Sequence, residues 1–194
     1  MPSIVVTTVL LFLSQALNDP LARKVGEAAE RLRAEEQRFQ LGASTAQDVN
    51  TRRRELIRAQ RAIALRDDAS VSRIGALFEE ETWIALQQLD EEERRFQLGV
   101  STALQVTELR RDLLAVRRSV AEWQSQLPSS SPGDRSTARQ QVRALLGEEI
   151  AMAQRQLQIE QRKVDLGALT GDFVAKRRAE ISDLEAVLNG LMQR

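Results

Sequence analysis

Histidine and cysteine are absent from this 194-residue chain, so its chemistry rests on carboxylates, guanidinium groups and hydroxyls. The missing histidine removes the commonest general base and the commonest transition-metal ligand, and the missing cysteine removes thiol catalysis and disulfide staples. A cysteine-free chain suits reducing and oxidising compartments alike. The hydroxyls that draw notice are Ser44-Thr45 and Ser101-Thr102, each just after a Leu-Gly pair. A serine nucleophile needs a base beside it and no histidine can serve, so capping of a helix start explains these residues better. The acid runs Glu79-Glu80-Glu81 and Glu91-Glu92-Glu93 suggest a cation site at first sight. Consecutive helical residues point in different directions and cannot converge on one ion, so both runs read as solvated faces. Arg52-Arg53-Arg54 is followed by Glu55 with no aromatic platform, and the 28 basic and 28 acidic residues cancel. Nothing there directs the chain to nucleic acid. With no phosphate-binding glycine loop and no Gly-x-Ser-x-Gly, the sequence predicts a protein that is not an enzyme and needs no cofactor or metal.

The elements that position these residues come from a repeat. Arg38-Phe39-Gln40-Leu41-Gly42-Ala43-Ser44-Thr45-Ala46-Gln47-Asp48-Val49 recurs as Arg95-Phe96-Gln97-Leu98-Gly99-Val100-Ser101-Thr102-Ala103-Leu104-Gln105-Val106, and more weakly from Lys163 through Leu166-Gly167, Thr170 and Phe173 to Val174. Glycine adopts the left-handed conformation that ends a helix, and a threonine three residues later caps the next one. Thr45 with Asp48 and Thr102 with Gln105 have capping-box spacing. At the third bend Phe173 replaces the box partner, and Asp172 helps only through its charge in the first turn.

Between the bends the apolar residues follow helical spacing. Val25, Ala28, Leu32 and Phe39 share a face with Glu35; Val49, Leu56, Ala59 and Ile63 share one with Arg52; Phe78, Ala85, Leu89 and Phe96 form the next. Val106, Leu109, Leu113, Val116, Val120, Trp123 and Leu127 alternate by three and four, as do Leu146 to Val164 and Val174 to Leu191, the spacing of a coiled-coil seam. The predicted fold is all-α: three antiparallel coiled-coil helical hairpins, side by side, with no sheet. Hairpin 1 covers 21–68, hairpin 2 covers 69–127, a Pro/Ser loop 128–135, and hairpin 3 covers 136–194. Around Asp67 to Ser70 either a capped turn or a kink in a continuous helix fits. The bend glycines are 57 and then 68 residues apart; the Pro/Ser loop is expected to hold most of that difference.

Residues 1–20 stand apart. The apolar run Ile4–Leu13 is too short to span a bilayer, which takes about 20 residues. Followed by Ser14-Gln15-Ala16 it fits a signal-peptide core and cleavage site, although no Lys or Arg precedes it. The other reading is an apolar segment packed on the rest of the chain. No transmembrane span is expected in the mature chain.

Phe-Gln-Leu-Gly-x-Ser-Thr-x-x-x-Val, followed by Arg53, Glu55 and Leu56 after the first bend and by Arg110, Asp112 and Leu113 after the second, resembles the recurring hairpin motif of the TolC-type outer membrane efflux protein family. The likeness spans the three repeats, most of residues 21–194. It implies that Leu41, Gly42, Leu98 and Gly99 are tip residues facing a membrane-fusion adaptor, with Leu166, Gly167 and Thr170 at the third bend. Asp48 takes the place of a tip acid, and Glu108 lies near that of an acid narrowing the channel entrance. Gln105 and Phe173 depart from the acid pattern. The family alternates hairpins with membrane strands of roughly 10 alternating residues, a pattern found nowhere here, and has two tip bends where this chain has three. The resemblance therefore implies the coiled-coil part, without an intact channel. Implied partners are an adaptor hairpin, another envelope coiled-coil protein, or further copies of the chain. The implied location is the periplasm or cell envelope, or the cytoplasm if residues 1–16 are not a signal peptide. The competing expectation is a structural coiled-coil scaffold with no transport role.

Overall fold

The computed structural model describes residues 19–128 and 130–193, and every regular element among them is an α-helix. These are α1 (Pro20–Gln40), α2 (Ala46–Arg66), α3 (Val71–Gln97), α4 (Ala103–Gln126), α5 (Pro132–Asp165) and α6 (Gly171–Met192). The apolar run and small-x-Ala site of residues 4–16 lie outside the described residues. By its internal contacts the chain divides into two compact units, Met1–Gln88 and Leu89–Arg194, the division falling inside α3.

Local chemistry sets the helix ends. Asp19 accepts a hydrogen bond from the Leu21 amide at 3.0 Å and Pro20 occupies the first helical position, where its missing N–H costs nothing. After α1, the Gly42 amide donates to the Phe39 carbonyl and the Ala43 amide to the Arg38 carbonyl at 2.8 Å, a paired closure that requires the left-handed φ of Gly42. The same pair of bonds closes α3 at Gly99 and α5 at Gly167. The turn after α2 is closed by Ala69 donating to the Ala64 carbonyl, with Asp68 at φ 48° in the left-handed position, so this segment is a turn and not a kink.

The Pro/Ser loop is shorter than its composition suggests. Ser131 and Asp134 form a capping box around Pro132, so α5 begins at Pro132 and the expected loop of 128–135 is corrected to end at residue 131. The longer third repeat is helical for the same reason: α5 has 34 residues against 27 in α3, and α4 has 24 against 21 in α2. Seven residues are close to two helical turns, so this extension preserves which face of α5 meets its neighbours.

In the first unit α1 packs on α2; in the second α4 packs on α5 and α5 on α6. Leu114 and Ala121 of α4 meet Val142, Leu145 and Leu146 of α5, and Leu184, Leu188 and Leu191 of α6 close over them. Ile150 and Ala153 pack with Ile181 further along. The seam from Val106 is buried at Val106, Leu113 and Val116 but only half-buried at Val120, Trp123 and Leu127. The predicted face of α2 is half-buried throughout, whereas its deepest residues are Arg54, Ile57 and Ala64. A helix with neighbours on two sides needs two stripes, and α2 meets α1 with one and α3 with the other. Phe39 and Phe96 do not continue the seams, since both are about half exposed next to the bends.

The largest correction concerns the acid runs. Glu81 and Glu92 are 0% and 1% exposed, buried in the seams with only their neighbours in solvent. Three arginines of α2 converge on Glu81: Arg61 and Arg58 bond its two oxygens, and Arg54 stands 3.8 Å away. Arg61 also lies over the Phe78 ring at 4.2 Å, and Arg54 donates to buried Gln88 at 3.1 Å. The arrangement recurs between α4 and α5, where Arg118 donates to buried Glu149 at 2.9 Å. Burial pushes the Glu149 carboxyl up against the pull of Arg118 and Arg111, and burial also lowers the Arg111 guanidinium, which pairs with Glu180 of α6. Glu81, Gln88 and Glu92 of α3 thus reappear 68 residues later as Glu149, Gln156 and Glu160 of α5, all buried.

Because Glu81 neutralises arginines that stay buried without it, Glu81→Gln is expected to cost about 3–5 kcal/mol in urea denaturation. Arg52→Ala, which loses only a surface pairing with Glu55, should cost about 1 kcal/mol or less. Equal costs for the two variants would contradict this assignment.

Candidate functional site at the glycine bends

Each bend combines a closed helix end with a leucine left outside, and the first two also have a side-chain-capped helix start. At the first, Leu41 ends α1, Gly42 has φ 71°, and Thr45 caps α2. Thr45 Oγ1 accepts from the Asp48 amide at 3.2 Å, while Asp48 Oδ2 accepts from the Thr45 amide at 3.0 Å and from its hydroxyl at 2.7 Å. These bonds, the side-chain one first, hold the Asp48 carboxyl below the usual carboxylate range. Behind the cap, Ser44 Oγ donates to buried Glu35, which Arg38 approaches at 3.4 Å, and Arg38 also reaches the Ala43 carbonyl. The loop between the two helices is thereby latched to a carboxylate two turns earlier in α1.

The second bend repeats this with an amide. Gln105 Oε1 accepts from the Thr102 amide at 3.0 Å and its hydroxyl at 2.9 Å, and Thr102 Oγ1 accepts from the Gln105 amide. Ser101 donates to buried Glu92, with Arg95 at 3.5 Å, and Arg110 of α4 returns to Glu93 at 2.8 Å. The third bend keeps the glycine at φ 70°, but Thr170 makes no side-chain cap bond, and Phe173 in the box position has no oxygen to return one. Leu169 stands where the serine was, and buried Glu160 takes Arg177 at 3.0 Å and Gln156 at 3.2 Å instead. Arg177 also pairs with Glu180 at 2.6 Å, as Arg52 pairs with Glu55 after the first bend.

The glutamate seven residues before each bend glycine is what sequence reading missed. Glu35 was legible as a seam member, Glu92 was hidden in an acid run and Glu160 was passed over. Their common spacing from Gly42, Gly99 and Gly167 was the available signal. At the first two bends the serine and threonine hydroxyls are spent on the buried glutamate and on the cap. Glu108 is exposed on α4, and its charge acts on Arg111. Among the described residues no group of three or more acids is placed to hold a metal ion, and no helix is long and apolar enough to cross a membrane.

What remains outward is leucine. Leu41, Leu98 and Leu166 are 83%, 78% and 83% exposed at the same position of each repeat, with Phe39, Phe96, Val100 and Phe173 also exposed nearby. A Cβ on any of the three glycines would meet nothing within 4 Å, so backbone conformation and not space demands glycine there. Comparison with known proteins finds no matching family model, no similar curated protein and no similar solved structure.

The caps make separable predictions. Thr45→Ala and Thr102→Ala should each cost about 1 kcal/mol by chemical denaturation, and Thr170→Ala less than about 0.5 kcal/mol. Asp48 has a folded pKa below its unfolded value, near 4. Its contribution is therefore complete above that unfolded value and is lost as pH falls through the depressed folded one. Asp48→Gln, copying the second bend, should remove this acid-limb dependence while leaving stability near neutral pH within about 0.5 kcal/mol, followed by urea titration at stepped pH. An unchanged acid limb would contradict the cap's role.

Proposed function

We propose that the chain is a non-enzymatic helical-hairpin protein of the cell envelope, folded as three antiparallel coiled-coil hairpins side by side, whose bends dock the helical hairpin of a membrane-fusion adaptor. The observation that carries this reading is the exposed leucine at every bend. Scattered surface apolar residues need no explanation. A leucine repeated at the tip of three bends is different, because each helix end is already closed by backbone bonds, and the first two bends are also capped and latched by side chains. Folding has no use for the three leucines, and contact with an apolar partner surface does. The likeness of the first two bends to TolC-type hairpins supplies the kind of partner, and the apolar run before Ala16 supplies the envelope location.

A second reading, a structural coiled-coil scaffold, is favoured by the capping boxes and glutamate latches, which account for every polar residue the bends share without invoking a partner.

The test is binding of the full-length chain to a purified adaptor helical hairpin of a TolC-type system, with cell fractionation of the same chain. Wild type is expected to bind and to fractionate with the envelope. Leu41→Asp combined with Leu98→Asp should weaken binding at least tenfold with unchanged helicity and melting temperature. Loss of helicity would place the leucines in the core. Undiminished capture by the folded double variant, or no capture by wild type, would favour the scaffold.

A further inference from the structure

The eleven residues that distinguish the third repeat do more than lengthen it. The C-terminal turn of α4, the first three turns of α5 and the end of α6 surround an open cleft of about 660 Å³, within the size range of small-molecule sites. Along its α5 wall run Arg135, Arg139 and Arg143, spaced four residues apart and so about 6 Å apart along the axis. Like charges at this spacing oppose one another and destabilise a helix. Neither the Arg135 nor the Arg139 guanidinium has a hydrogen bond or ion pair among the described residues. Arg143 is fixed by its bond to the Leu191 carbonyl at 2.6 Å, and its Nε is buried without a partner. The single acid of the lining, Glu122, is engaged by Arg118. The rest of the lining mixes the polar Ser125, Gln126, Ser136 and Gln140 with an apolar part made of Pro132, buried Val142, and Val187 and Leu191 of α6, Val187 being nearly half exposed.

The basic stripe does not belong to the repeat. The residues 68 positions before Arg139 and Arg143 are Val71 and Gly75, and Arg135 sits in the two turns that α5 has beyond α3. Arg135 therefore belongs to the extension, Arg139 and Arg143 continue its stripe into the repeat-aligned part of α5, and none of the three lies at a bend.

We infer that this cleft binds a small amphiphilic anion, a carboxylate or phosphate head carried on a short apolar body. Planar guanidinium forks pair bidentately with either head group, and an anion there relieves the repulsion within the stripe. The apolar body covers Val187 and Leu191. This site lies away from the bends and does not depend on the docking reading.

Isothermal titration calorimetry of the full-length chain tests it, using n-octyl phosphate and octanoate below their micelle concentrations, with octyl glucoside and inorganic phosphate as controls. At least one of the two anionic amphiphiles is expected to bind one to one. Octyl glucoside should not bind, and inorganic phosphate should bind at least tenfold more weakly. Arg135→Gln with Arg139→Gln, both on the helix surface, should reduce the affinity at least tenfold with unchanged circular dichroism. Val187→Asp gives a second handle on the apolar wall and should weaken the same ligand. Binding by neither amphiphile, equal binding of octyl glucoside, or undiminished binding by the arginine double variant would overturn the assignment.

Discussion

The structure depends on carboxylates held inside helix seams. Glu35, Glu81, Glu92, Glu149 and Glu160 are all buried, and each has an arginine or a serine hydroxyl aimed at it. Removing such charges from water costs several kcal/mol each, so these contacts add little net stability over an apolar seam. Their effect is selective. A glutamate buried opposite leucine is an uncompensated charge, so a helix can shift or exchange partners only by stranding it. In seams this narrow, with small residues such as Ala28, Ala64, Ala85, Ala121 and Ala153 at many buried positions, apolar packing alone discriminates poorly between registers.

The same constraint links the interior to the bends. Glu35 and Glu92 bond the serine two residues beyond the bend glycine, tying each reversal to the seam behind it. Where Leu169 replaces that serine, Glu160 bonds Arg177 of the returning helix, joining the two arms by another route. Helix ends and seams are satisfied within the chain at all three bends and helix starts at the first two, and the tip leucine is left as surplus apolar surface. The extended third repeat adds a second surplus, of positive charge, along the α5 wall of its cleft.

The helices, their three left-handed glycines and both threonine capping boxes were legible in the sequence because they depend on local chemistry at fixed spacing. The missing reciprocal half of the third box was legible for the same reason, Phe173 having no oxygen to offer, but the idle Thr170 hydroxyl was not. The polar seams were not. Glu81 and Glu92 look like their solvated neighbours because a run of acids conceals which member faces inward, and Arg54 was obscured by Arg52 and Arg53 in the same way. Resolving them requires knowing that α2 has partners on two sides, which periodicity for a single stripe does not reveal. Phe39 and Phe96 erred in the opposite sense: each falls at seam spacing, but within the last turn before the bend, where no partner helix remains to cover it. The start of α5 was misplaced because Pro and Ser were read as loop formers when Ser131-Pro132-x-Asp134 is a helix-start signal.

The measurement that bears most directly on the selective role of the buried charges is the amide proton–nitrogen correlation spectrum of a variant in which Glu81, Arg54 and Arg61 are all replaced by leucine. The account predicts that helicity and melting temperature are kept or raised, while the spectrum broadens or splits as α2 and α3 sample more than one register. A single set of sharp peaks, dispersed as in the wild type, would contradict it and reduce the buried ion pairs to replaceable packing.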